Sequence, residues 1–185
     1  VSGSRRARGI LEGPPGTMGW SALQGFSGRT SGPSAGRLEA LYRPGSADVV
    51  HAAGGGMFEG VKILKAANPQ KYQPEHGADY PNSQFGQRLR QIAQLIKADV
   101  GLEVAFADVG GWDTHVNQGA ATGQLAGRLD DFARSIAALT TDLGDRMADT
   151  TIMTMSEFGR TVRQNGNGGT DHGHASALFV IGGDV

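Results

Sequence analysis

The chain has 185 residues, 17 Lys and Arg against 18 Asp and Glu, a formal charge of -1 and no cysteine. That length supports one hydrophobic core, either a single domain or a fragment of a larger one. The balanced charge provides no field that would collect nucleic acid or an anionic membrane, and the lack of cysteine removes disulfide frameworks, zinc knuckles and cysteine nucleophiles together.

No apolar run reaches the roughly 20 residues of a membrane-spanning helix. Arg5 and Arg6 lack a following apolar stretch and are not read as an export signal, so the chain as given carries no signal peptide. Residues 1–36 are rich in Gly, Ser, Pro and Arg, show no sustained apolar period and are expected to be irregular. Ser34 is a candidate N-cap for a short helix ending before Pro44, and a second helix is expected from Ala47 to about Ala67, weakened by Gly54, Gly55 and Gly56. A surface connection follows from Gln70 to Asn82. His51 and His76 have no ligand-type residue spaced near them and are read as bystanders.

Periodicity becomes clear at Ser83. Phe85, Leu89, Ile92, Leu95 and Ile96 draw an apolar stripe along one helix, with Arg88, Arg90 and Lys97 on the solvated face. Leu102 to Val109 reads as a strand buried on both faces. It runs into Gly110, Gly111, Trp112, Asp113, Thr114 and His115, and Trp112 is expected to pack on the core. From Gln124 to Leu143, Leu125, Leu129, Phe132, Ile136, Leu139 and Leu143 define a second helix, with Arg128, Asp130, Asp131, Arg134 and Asp142 on its polar side. Thr150 to Met155 and Ala177 to Ile181 read as two further strands, separated by a mobile glycine loop at Asn165 to Gly169. This order of elements predicts an α/β fold with a mainly parallel sheet joined through a right-handed crossover.

Side chains suited to chemistry gather in three glycine-flanked loops. Asp113 and His115 follow the first strand, Glu157 follows the second, and His172 and His174 precede the third. In a parallel sheet Asp113 and Glu157 share one edge, whereas the histidines reach it only if the loop from Gly159 to Gly173 folds back. Asp113 with His115, and His172 with His174, are i, i+2 pairs whose side chains point the same way in extended backbone, so both members of a pair can meet one ion. Carboxylate oxygen and imidazole nitrogen together suit zinc or another divalent transition metal. Arg160, just beyond Glu157, either pairs with it or binds a substrate anion. Ser156 has the residue types of a serine triad nearby but no G-x-S-x-G turn around it, and the Asn165 loop lacks the Lys-Ser/Thr of a phosphate-binding loop.

The segments GGWDTH, RLDDFARSIAALTTDLGDRM, MSEFGRT and GGTDHGHASALFVIGG, with SQFGQRLRQIAQLI upstream, resemble in that order a large bacterial family of uncharacterised proteins. That family usually carries a twin-arginine export signal and is placed in the alkaline phosphatase and sulfatase superfamily. The resemblance spans about Leu38 to Val185. It implies a three-layer α/β/α sandwich with metal ligands at strand ends, a periplasmic or secreted location and a small anionic ester as substrate. Asp113 and His115 match the superfamily's aspartate and histidine pair. Glu157 stands where a Ser-Asp-His-Gly motif supplies ligands, and His172 or His174 matches the late histidine. Phe158 replaces a histidine of the two-metal members, so one ion, zinc or manganese, is expected. The superfamily's nucleophile has no match here, which implies part of a longer protein. Two functions follow as expectations: a metal-dependent hydrolase of phosphate or sulfate esters, or the metal-binding part of one, and an exported non-catalytic binding or scaffold protein that keeps the fold.

Overall fold

The computed structural model describes residues 71–183 and 185, and the elements expected before residue 71 lie outside them. Residues 73–97 and 101–185 form one compact unit, which holds everything that follows. Its frame is a pair of helices, α1 (Gln84–Lys97) and α2 (Gln124–Leu143), the latter continuing into a 3-10 helix at Gly144–Asp149. Ser83 caps α1, its hydroxyl accepting the Gly86 N–H at 3.0 Å. Gly144 closes α2 at φ 52°, in the left-handed region that favours glycine, and its N–H donates to the Thr140 carbonyl.

The helices pack through part of the stripes that the sequence draws, with Leu129 of α2 left 50% exposed. Phe85, Leu89 and Ala93 of α1 are buried, as are Ala138, Leu139 and Leu143 of α2. Phe85 stacks on Phe132 across the pair, ring centroids 5.3 Å apart. Asp142, on the polar side of α2 by sequence, is fully buried instead. Tyr80, in the connection before α1, donates its hydroxyl to Asp142 Oδ2 at 2.8 Å, and the Lys97 ammonium donates to Oδ1. A charge at an inward position is tolerated because cation and hydroxyl both meet it. Among the described residues no helix is long and apolar enough to cross a membrane.

The strands correct the expected fold. No parallel sheet and no three-layer sandwich is present among the described residues; there are two antiparallel pairs, each strand two residues long. The strand expected at Thr150 to Met155 is β1 (Ile152–Met153), and the one expected at Ala177 to Ile181 is β4 (Val180–Ile181), paired as Ile152 with Ile181 and Met153 with Val180. Between them, β2 (Gly159–Arg160) pairs with β3 (His172–Gly173). Parallel pairing of β1 and β4 requires a crossover, usually a helix. The chain from 154 to 179 holds no helix and returns as a hairpin-like excursion, so its two ends meet antiparallel. Residues 102–109, expected as a buried strand, have no ladder partner among the described residues, and Val104 and Phe106 are 77% and 58% exposed. Met153, Met155, Leu178 and Phe179 are likewise exposed.

Candidate metal centre

The loop carrying Asp113 is fastened to the helix pair by its neighbours. Trp112 meets Phe132 of α2 edge-on, centroids 5.6 Å apart, and its indole N–H donates to the Val109 carbonyl at 2.8 Å. Arg128 of α2 donates to the Gly110 carbonyl, and its guanidinium lies where a side chain at Gly111 would stand. Arg88 of α1 pairs with Asp108 at 2.8 Å. Beyond Trp112 the side chains alternate: Thr114 turns in and is buried, while Asp113 and His115 turn to the other side together.

The later loop folds back onto this one. In the β2–β3 pair Arg160 stands opposite His172, and Arg160 is bridged further to Ala175. From this hairpin the chain 161–171 crosses to residues 114–118. Gly168 bridges Val116, Asn117 N–H donates to the Asn167 carbonyl, and Thr170 N–H donates to the Thr114 carbonyl at 3.2 Å. Asn165 is the hub. Its amide NH2 donates to the His115 carbonyl at 2.9 Å and to Asp171 Oδ1 at 2.8 Å, while its Oδ1 accepts the N–H groups of Asn167 and Gly169. Gly169 is buried against the His115 carbonyl, where a Cβ would collide with it. The segment expected as a mobile glycine loop is therefore hydrogen-bonded into place.

This crossing gathers three ligand-type atoms. Asp113 Oδ1 lies 2.9 Å from His115 Nε2 and 3.0 Å from His172 Nε2. The ligand atoms of Asp113, His115 and His172 all fall within 4.8 Å of one another, the group among the described residues that could hold a metal ion. The imidazoles of His115 and His172 stack, centroids 5.1 Å apart, and Phe158 stacks on the outer side of His172 at 4.7 Å. Arg160 completes the cluster. Its Nη1 donates to Asp113 Oδ1 at 2.7 Å, its Nε to Thr170 Oγ1 at 3.0 Å and its Nη2 to Thr114 Oγ1 at 3.3 Å, and both threonine hydroxyls donate on to Gln118 Oε1. Desolvation works to raise the Asp113 pKa. Hydrogen bonds from His172 and Arg160, with the charges of His115 and His172, outweigh it and hold the carboxyl below its ordinary 3.8. Asp171 is also held low, first by the Asn165 hydrogen bond and then by that of His115.

The chain matches, over residues 57–185, the model of a family described as protein of unknown function (DUF1501). It belongs to that family. No curated protein and no solved structure matches it.

Of the ligands that the sequence of this DUF1501 chain suggested, Asp113, His115 and His172 come together, because the loop after β2 makes the return it needed. Glu157 and His174 are exposed and stand outside the three-residue group. Arg160, expected to pair with Glu157 or to bind a substrate anion, is paired with Asp113. The Ser156 hydroxyl donates to the Phe158 carbonyl at 2.7 Å, which is no step towards a triad. Sequence reasoning gave no role to Asn165 or Asp171. Asp171 had a signal, a carboxylate adjoining His172; Asn165 was masked by its glycine neighbours, which read as slack rather than as room for close backbone approach.

Proposed function

We propose that this DUF1501 chain is a metal-dependent hydrolase of phosphate or sulfate esters, or the metal-binding part of one, with Asp113, His115 and His172 holding one zinc or manganese ion. The observation that carries the reading is the meeting of two imidazole nitrogens at one carboxylate oxygen, at 2.9 and 3.0 Å. Around tetrahedral zinc, with bonds of about 2.0–2.2 Å, neighbouring donors stand about 3.3–3.5 Å apart, so the two Asp113–histidine separations need to open by only a few tenths of an ångström. Two imidazoles and a carboxylate are also a donor set that zinc accepts, and three protein ligands leave a position open. Bound there, the ion supplies Lewis-acid polarisation of an ester oxygen. Arg160 places a permanent cation beside the cluster, which suits an anionic ester. The likeness of GGWDTH, MSEFGRT and GGTDHGH to the alkaline phosphatase and sulfatase superfamily supports the substrate class, and a periplasmic or secreted location belongs to the same reading.

Metal content of the purified protein after loading with zinc or manganese tests it. One ion per chain in the wild type, lost in both Asp113→Ala and His172→Ala, is the expected result; a wild type that takes up neither metal overturns it. The second reading, an exported binding or scaffold protein without chemistry, is favoured by Ser156, whose hydroxyl donates to backbone rather than to a base. Metal uptake without turnover of aryl phosphates and aryl sulfates selects that reading.

A further inference from the structure

His115 is held by carboxylates at both ring nitrogens. Its Nε2 lies 2.9 Å from Asp113 Oδ1, inside the three-residue cluster, and its Nδ1 lies 3.0 Å from Asp171 Oδ1, outside it. The two nitrogens of an imidazole point away from each other, so a carboxylate bonded to Nδ1 cannot share an ion that Nε2 meets. A neutral imidazole carries its proton on one nitrogen and its lone pair on the other. Whichever nitrogen is given an acceptor thus decides which nitrogen is free to bind a metal.

We propose that Asp171 is the positioning residue of the metal centre: by accepting the Nδ1 proton of His115 it turns the Nε2 lone pair towards Asp113 and His172. The inference rests on the metal-binding reading above and adds a residue to it that touches no ion. Asp171 is itself fixed. Its Oδ1 accepts the Asn165 amide at 2.8 Å, its N–H donates to Thr161 Oγ1 at 3.2 Å, and its carbonyl accepts the Thr161 N–H at 2.8 Å. The same Asn165 amide reaches the His115 carbonyl at 2.9 Å, so one side chain sets both the backbone that presents the imidazole and the carboxylate that orients it. Asn165 is aimed in turn by the two N–H groups that donate to its Oδ1. Asp171 adjoins His172, the first residue of β3, so the segment that delivers one ligand to the centre also delivers the acceptor that orients another. An outer carboxylate on a ligating histidine fixes its tautomer and raises its basicity, and its loss typically costs 10–100-fold in metal affinity.

The test uses the full chain with zinc alone as the probe. Zinc affinity is measured by competition with a chromophoric chelator for the wild type, Asp171→Ala and Asp171→Asn, and the His115 ring nitrogens are assigned by 15N NMR in the zinc-loaded wild type. The expected results are a loss of about 10–100-fold in Asp171→Ala, a smaller loss in Asp171→Asn, which keeps an acceptor oxygen, and a wild-type His115 protonated at Nδ1 with Nε2 on the metal. Zinc affinity in folded Asp171→Ala within about twofold of wild type, well short of that range, overturns the positioning role and leaves the metal centre standing. Zinc on Nδ1 of His115 overturns it as well, a readout that needs no variant to fold. A wild type that binds no zinc overturns the metal reading itself, and the positioning role with it.

Discussion

Lys97, the last residue of α1, and Asp142, near the end of α2, form an ion pair in which the carboxylate is fully buried and the lysine side chain is 11% exposed. It is the polar lock of the helix pair. The Tyr80 hydroxyl takes the other carboxylate oxygen, and the Glu75 N–H donates to Oδ1 at 2.8 Å, so the same aspartate fastens the chain entering α1.

Removing Asp142 takes the buried acceptor from the Tyr80 hydroxyl and from the Lys97 ammonium, which keeps Glu75 Oε2 at 3.0 Å. Asp142→Ala is expected to cost about 3–5 kcal/mol, whereas an apolar replacement of both partners, Lys97→Met with Asp142→Leu, is expected to restore much of it. Urea denaturation midpoints of the single and double variants measure this. A double variant no more stable than Asp142→Ala alone is the contrary result.

Gly169 tests how tightly the two site loops approach. A methyl group there collides with the His115 carbonyl, backbone that cannot swing aside as a side-chain end can. Gly169→Ala is expected to cost about 1–3 kcal/mol of stability, in the range of overpacked interiors. It is also expected to weaken zinc binding, because the displaced backbone is that of His115. Gly166→Ala is the control, since a Cβ there meets nothing within 4 Å. Equal melting temperatures for the two variants count against the close approach.

The helices were legible in the sequence because their apolar residues recur at helical spacing over long stretches: α2 spans Gln124–Leu143 as expected, and α1 Gln84–Lys97 nearly so. The sheet was not. A short apolar run such as 102–109 carries no signal of whether it finds a ladder partner, and alternation of strand and helix suggested parallel order where a helix-free return produced antiparallel pairs. Of the five ligand candidates named from residue type, Asp113, His115 and His172 meet, and Glu157 and His174 stand outside the group. The organisers of the site were not legible, because Asn165 and Asp171 act through contacts 50 and 56 residues away from His115, which no local spacing announces. Asp142 was misread for a related reason: its position on α2 is polar by period, and partners from outside α2, Lys97, Tyr80 and the Glu75 N–H, make its burial tolerable.

Acid should loosen the site before the helix pair's apolar contacts fail. The folded-state pKa values of Asp113 and Asp171 both lie below the ordinary 3.8. A depressed carboxylate contributes stability that is fully present above its unfolded pKa and is lost as pH falls through the lower folded value. The contribution therefore holds at neutral pH and disappears below about pH 4. Melting temperature against pH is expected to fall through that acid range in the wild type and less steeply in Asp113→Asn, which has no proton to gain. Parallel curves for the two proteins refute the assignment.

Arg160 separates a geometric role from a merely electrostatic one. Its guanidinium places three nitrogens on three acceptors, Asp113, Thr170 and Thr114, and its side chain is 18% exposed. Arg160→Lys keeps the charge but offers a single nitrogen, which cannot span that fork. If charge alone mattered, the variant would equal the wild type. The geometry instead requires that at least one threonine hydroxyl lose its Arg160 donor, which unties Asp113 from the threonine–Gln118 bonds that brace the two loops. The expected loss is about 1–2 kcal/mol in denaturation midpoint, in line with hydrogen bonds to a charged group. Arg160→Gln, which removes the charge as well, should lose more and should also reduce the drop in melting temperature between pH 7 and acid, since Arg160 is one of the groups holding Asp113 down. Lys and Gln variants that both equal the wild type in stability would mean that neither the fork nor the charge of Arg160 organises the site.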